Sequence, residues 1–321
     1  MKHHMQKERR VLNLAAAGFP EVPVFGHYQY CSARPGLATH THPKTVEICY
    51  LERGYQTYRA GGREYQLVGG DVFVTAPDEP HDTGGYPEDR GVLYWLNLRI
   101  PKAGGQLLML PPAESTLLTS RLCHLPERQF AGRPVLKQIF KSIFDLYDQP
   151  ENAFRQVALA NQLVRCILEV IQCAYRHEGL HCSPLIAAIV DRVKSCPEQD
   201  YSLADLAQEA GLSLSRFKTK FKAQMGVAPH EFILRCKMDE AKRLLTHEGR
   251  SVTETAMALG FSSSQYFATV FKRFTQQTPV EFCTNGPVTP LRPGRVQPSL
   301  GSPRRGAGLG RTRLAQSGSH V

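Results

Sequence analysis

Between residues 20 and 100 apolar and polar positions alternate in short runs: Thr45–Leu51, Tyr55–Arg59, Glu64–Val68, Val72–Thr75 and Val92–Ile100. Glycine-rich breaks separate them at Arg53-Gly54, Ala60–Gly62, Gly69-Gly70 and Thr83–Gly85. A period of two with close turn punctuation predicts many short strands forming a barrel or sandwich. The period lengthens after Pro111-Pro112. Residues 134–149 place Val135, Leu136, Ile139, Phe140, Ile143, Leu146 and Tyr147 on one helical stripe, and Pro150 ends it. Residues 151–177 repeat the pattern with Phe154, Val157, Leu159, Leu163, Val164, Ile167, Leu168 and Ile171. These two helices serve as core or as a self-association surface. Residues 184–284 read as helical throughout, and after Pro287 the chain turns rich in Pro, Gly, Ser and Arg, a composition that predicts disorder.

Within the helical region lies an internal repeat. Ser202–Gly211 matches Ser251–Gly260 at an offset of 49. At an offset of 50, Phe217, Phe221, Lys222, Pro229, Glu231 and Phe232 meet Phe267, Phe271, Lys272, Pro279, Glu281 and Phe282. Such a period signals a duplicated supersecondary unit. Each copy opens on a Ser-x-x-acid capping box, Ser202 with Asp205 and Ser251 with Glu254. Ala207 and Ala256 are small enough for a close helix crossing, and Gly211 and Gly260 supply a left-handed turn. Ser213 and Ser262 are placed to cap the next helix, with Phe217/Phe221 and Phe267/Phe271 as its apolar stripe. Helix, glycine turn, helix is the helix-turn-helix signature. The first second-helix, Leu214–Met225, carries Arg216, Lys218, Lys220 and Lys222 without an acid, and the second, Ser263–Phe274, starts polar and ends in Lys272-Arg273. Short polar side chains for base edges followed by cations for phosphates suit groove docking.

Charge alone would not have made that case. The formal net charge of +10 is mostly a tail effect, because Gly286–Val321 holds six arginines and no acid. Residues 184–285 hold thirteen basic and eleven acidic side chains, close to balance. Nine scattered cysteines without a Cys-x-x-Cys pair read as free thiols, mostly small buried hydrophobes. No apolar run reaches the length of a membrane helix, and the Val11–Ala17 stretch is too short for a signal peptide, so a cytoplasmic protein is expected. No nucleophilic triad, phosphate loop or dinucleotide fingerprint is present, and no catalytic residue is assigned.

Residues 199–283 resemble the AraC/XylS-type DNA-binding domain, two helix-turn-helix units joined by a long helix. The match runs through Ser202–Ser213, Gly226–Pro229, Ala241–Leu245, Gly260-Phe261-Ser262, Tyr266-Phe267, Phe271–Arg273 and Thr278-Pro279. Lys237, Gln276 and Cys283 depart from the family's usual Arg, Gly and Arg; these departures bear on helix packing and the final turn. By family position, the resemblance implies base reading by Ser215, Lys218 and Thr219, then by Ser264, Gln265 and Thr269. Arg216, Lys222, Lys272 and Arg273 are expected on phosphates, which set affinity and salt dependence. A connecting helix over about 229–246 would hold the reading helices roughly 34 Å apart, one DNA turn.

A second resemblance covers most of residues 20–100. His40-Thr-His42 with Glu47 and Gly54, then Gly70-Asp71, Pro77 and His81, are similar to the paired motifs of a cupin barrel. In cupin enzymes these three His and the Glu bind a divalent metal; in AraC-type regulators the barrel holds an effector, often a sugar, usually without metal. His40, His42, Glu47 and His81 are therefore expected at an effector pocket, with a metal site or ordinary structural histidines as the other readings. Trp95 shares a strand face with Leu93 and Asn97, where it either stacks on a sugar ring or fills the core.

The expected fold is α+β in two domains, a cupin-like barrel with a helical linker and an all-α double helix-turn-helix. The divisions are an effector domain at 20–110, a linker and dimerisation region at 111–183, a reader at 184–284 and a basic tail at 285–321. The expected function is a transcription regulator, not an enzyme, that answers a small molecule and needs no cofactor. Expected partners are double-stranded DNA, the effector, a second copy of the chain and RNA polymerase, without a membrane. The alternative is a metal-dependent cupin enzyme fused to a DNA-binding module.

Overall fold

The structure is a computed structural model and describes residues 8–176 and 183–285. The first half is an antiparallel sheet of β1 (Arg9–Leu12), β2 (Val24–Tyr30), β3 (Thr45–Ala60), β4 (Arg63–Val68), β5 (Asp71–Thr75), β6 (His81–Asp82), β7 (Gly91–Arg99) and β8 (Gln129–Ala131). The strand order is β1-β2-β7-β3-β5-β8, with β4 and β6 on the far half of β3. This corrects the expected barrel: the sheet is open, ending in the short edge strands β1 and β8, and its ring is not closed. A second correction concerns β3. The runs Thr45–Leu51 and Tyr55–Arg59 form one 16-residue strand, bent by a register shift between Leu51 and Arg53. Gly54, at φ 119°, continues that strand where the sequence suggested a turn.

Alternation sorts the sheet residues onto two faces, both buried. Phe25, Ile48, Val72, Val74, Tyr94 and Leu96 face α1 (Pro112–Cys123), α2 (Val135–Tyr147) and α3 (Ala153–Ala174) in one core. Phe140 of α2 stacks on Phe25 at 5.7 Å and on Tyr50 at 5.6 Å. Residues 111–174 are thus a helical layer on the sheet as much as a linker. By length and composition α3 is apolar enough to cross a membrane, yet its Leu159, Leu163, Ile167 and Val170 sit in this core. The opposite sheet face packs Tyr28, Cys49, Tyr58, Leu67, Phe73, Leu93 and Trp95 together.

The second half comprises α4 (Pro184–Ser195), α5 (Leu203–Glu209), α6 (Leu214–Met225), α7 (Pro229–Thr246), α8 (Val252–Ala258), α9 (Ser264–Thr275) and α10 (Pro279–Asn285). It has two cores, one around Phe217 and Phe221 and one around Phe267 and Phe271. α7 joins them, giving Phe232 and Ile233 to the first and Leu234, Met238, Ala241 and Leu245 to the second. Eight cysteines among the described residues are free, three of them (Cys49, Cys166, Cys173) buried; Cys182 and the basic tail beyond residue 285 lie outside the described residues.

Candidate nucleic-acid interface and effector site

The two copies of the repeat fold alike. Gly211 and Gly260 adopt φ of 62° and 71°. The turns close through the same bonds, Leu212 N–H to the Ala207 carbonyl and Phe261 N–H to the Ala256 carbonyl, both 2.9 Å. Ser251 and Glu254 form the full capping box, whereas at Ser202 only the Asp205 N–H to hydroxyl bond is formed, at 3.4 Å. Ser213 caps α6 as expected, but α9 is capped by Ser263 and not Ser262. The extra residue of the second copy falls before the cap, so the offset of 50 already applies there.

Of the twelve-residue helices α6 and α9, the buried stripe is Phe217, Phe221 and Met225 in one and Phe267, Val270, Phe271 and Phe274 in the other. The remaining faces carry the expected reading side chains. Ser215, Lys218, Thr219, Gln265 and Thr269 are exposed and Ser264 is half-buried. Arg216, Lys222, Lys272 and Arg273 are also exposed, and none has a carboxylate partner among the described residues. Free cations beside short polar side chains are what phosphate and base-edge contacts require. Lys218, Thr219 and Lys222 line a cleft of about 1090 Å³ whose other wall is Tyr50, Glu52 and Arg53 of β3 with Lys137 of α2. Nothing in the sequence pointed to that wall, since it depends on how the two halves dock.

Glu47 of β3, His81 of β6, and His40 and His42 from the segment before β3 come together, one ligand atom from each lying within 4.8 Å of all the others. His42 Nε2 and His81 Nε2 each lie 3.0 Å from Glu47 Oε2. The Nδ1–H groups of His40 and His81 donate to the carbonyls of Ala38 and Glu79, at 2.8 and 2.9 Å. Those bonds fix the rings and aim both Nε2 atoms inward, an arrangement typical of histidines that hold ligands. Burial alone would raise the Glu47 carboxyl, but the His42 and His81 hydrogen bonds override it and hold it well below the usual carboxylate range. His81 is raised because Glu47 outweighs its burial, while burial lowers His40. Three imidazoles and one carboxylate also fit a first-row divalent cation.

Trp95 does not enter this cluster. It is 8% exposed on the inner face, with the Arg9 guanidinium 4.7 Å above its ring. Gly26 lies against it so closely that a Cβ there would meet a ring carbon at 2.1 Å.

Residues 23–164 match the family described as AraC-like ligand binding domain, and residues 206–285 match a family described as Helix-turn-helix domain. The chain belongs to the AraC family. It is 24% identical over 272 residues to the arabinose operon regulatory protein of Escherichia coli strain K12, covering 83% of this chain and 88% of that one. Similarity to the probable transcriptional regulator LumQ of Photobacterium leiognathi is 34% over 85 residues, 26% of this chain and 34% of LumQ, so the chain spans about a third of that relative's length. Among solved structures, ToxT from Vibrio cholerae aligns over 81% of this chain and 97% of its own at 13% identity and a TM-score of 0.31. The helix-turn-helix match thus runs from Leu206 in α5 through α10, and the ligand-binding-domain match from Pro23 into α3.

Proposed function

We propose that the chain is a transcription regulator that binds double-stranded DNA through α6 and α9 and answers a small molecule held at the His–Glu cluster. The observation that carries this reading is the duplicated helix-turn-helix with two exposed, acid-free, cation-bearing faces. Lys218 would donate to guanine and Gln265 would pair with adenine, each worth roughly 1–3 kcal/mol of discrimination. Ser215, Thr219, Ser264 and Thr269 complete the base-reading set. Arg216, Lys222, Lys272 and Arg273 take phosphates, and α7, 18 residues long, spaces the two units along one duplex face. The curated relatives that match are transcriptional regulators, which supports regulation over the cupin-enzyme alternative.

His40, His42, Glu47 and His81 form the effector site in this reading, with Trp95 in the packed layer beside it. A divalent cation is a second reading of the same four side chains, favoured by their convergence within 4.8 Å. The protein acts on DNA in the cytoplasm as a homodimer, paired through the outward face of α3.

The test is a thermal-shift screen of sugars and divalent cations on the full chain and on Glu47→Gln. A compound that stabilises the wild type and changes its DNA affinity, with both effects lost in Glu47→Gln, supports the reading. Stabilisation that survives the substitution places the effector elsewhere.

A further inference from the structure

We propose that residues 81–91 are a strap that carries the state of the His–Glu cluster to the DNA reader and, docked as here, holds the first reading helix against the sheet. The proposal rests on reading the cluster as the sensing site. At one end of the strap, His81 belongs to that cluster and its backbone pairs with His40, N–H to carbonyl in both directions at 3.0 and 3.1 Å. Next to it Asp82 is held by Arg59 through two bonds of 3.1 and 2.7 Å. Gly84 and Gly85, at φ of 64° and 81°, then turn the chain away from the site.

The other end grips the reader. The Lys242 ammonium sits 3.8 Å over the Tyr86 ring. Asp89 pairs with Arg235, and Arg90 Nε donates to Glu231 at 2.8 Å. Arg235 also donates to Glu231 at 3.1 Å, which links both pairs into one network. Its guanidinium lies 4.8 Å over Tyr55 of β3 and 5.2 Å over Phe274 of α9. Glu231, Arg235 and Lys242 are spaced four and seven residues apart, so all three lie on one face of α7. Because α7 carries the cores of both helix-turn-helix units, a shift of the strap moves both reading helices.

Two properties make this contact a switch rather than passive packing. Arg235 is 6% exposed, paired with Asp89 and packed over Tyr55, so undocking breaks these contacts together and the docked and undocked arrangements are discrete. Docking also brings Gly226, at the end of α6, against Gly69, where a Cβ on Gly226 would lie 2.2 Å from the Gly69 nitrogen. Lys218, Thr219 and Lys222 then face β3 and α2 across the cleft. A helix must enter a major groove roughly 8.5 Å deep to read bases, and this wall stands in the way. The docked chain is therefore closed to DNA at its first reading helix, and release of the strap opens it.

The experiment uses the full chain without effector. Arg90→Gln removes a cation, so a merely electrostatic role would lower affinity for a mixed-sequence duplex. Release of the strap instead raises that affinity severalfold; an unchanged or lower value overturns the latch. Hydrogen exchange tests the wiring. Glu47→Gln, or His42→Gln should the first variant not fold, is expected to speed exchange in residues 83–91 and 229–246. In an Arg90→Gln background the change should stop before residue 229. A cluster substitution that leaves 229–246 untouched, or reaches it equally in both backgrounds, overturns the strap. Neither readout involves a ligand, so its failure is distinct from failure of the thermal-shift screen.

Discussion

Gln276 sits where Gly226 sits in the first repeat, each closing a reading helix in the left-handed region at φ of 67° and 68°. A side chain at that conformation costs about 1–2 kcal/mol that glycine does not pay. Gln276→Gly should accordingly raise stability by about 1 kcal/mol, read as a higher midpoint in chemical denaturation. Gly226→Ala should do the reverse and more, since its Cβ also has no room beside Gly69. Lys237 was visible in the sequence only as a departure from the usual arginine. Its ammonium donates to the Leu259 carbonyl at 2.7 Å and so satisfies the end of α8. Lys237→Met should cost about 1–3 kcal/mol by leaving that carbonyl buried without a donor. The sequence could not show this, because the two groups are 22 residues apart and meet only through the packing of α7 on α8.

Elements were legible where a local rule decides them. The glycine turns, the Ser213 cap and the apolar stripes of α6 and α9 follow from spacing alone, and the structure has all of them. The Ser251–Glu254 box is complete, so Ser251→Ala should lose about 1 kcal/mol in the same denaturation measurement. Local rules fail where one residue changes the geometry. The insertion before α9 moved its cap to Ser263, and the bulge at Leu51–Arg53 carried β3 through a glycine that resembled a turn. Closure of the sheet was not legible either: strand periodicity gives faces, and the pairing of edges is set by contacts far apart in the chain. The cluster of His40, His42, Glu47 and His81 was readable because the motif fixes strand register: Glu47 lies in β3, and His81 of β6 pairs with Ala60 of the same strand. Trp95 was ambiguous for the opposite reason, since alternation says which face a side chain takes but not what covers it.

At the scale of the molecule, α3 carries apolar side chains on two sides. Phe154 is 81% exposed and Val157 59%, on the side turned away from the sheet, while the other stripe is core. Charging that outer face with Phe154→Glu and Val157→Glu should shift the full chain to monomer in sedimentation velocity; a mass unchanged from the wild type would remove α3 as the pairing surface. The docking of sensor on reader was invisible in the sequence, because Asp89 and Arg90 look like an ordinary polar turn until α7 is set beside them. The reader itself was the most legible part, its duplication being written in the chain. The proposed base reading by α6 and α9 is tested by a missing-contact footprint on a high-affinity site selected from random DNA. Two major-groove segments about 10 base pairs apart, centre to centre, are expected, one fading in Lys218→Ala and the other in Gln265→Ala. A single protected segment, or a footprint indifferent to both substitutions, would contradict it.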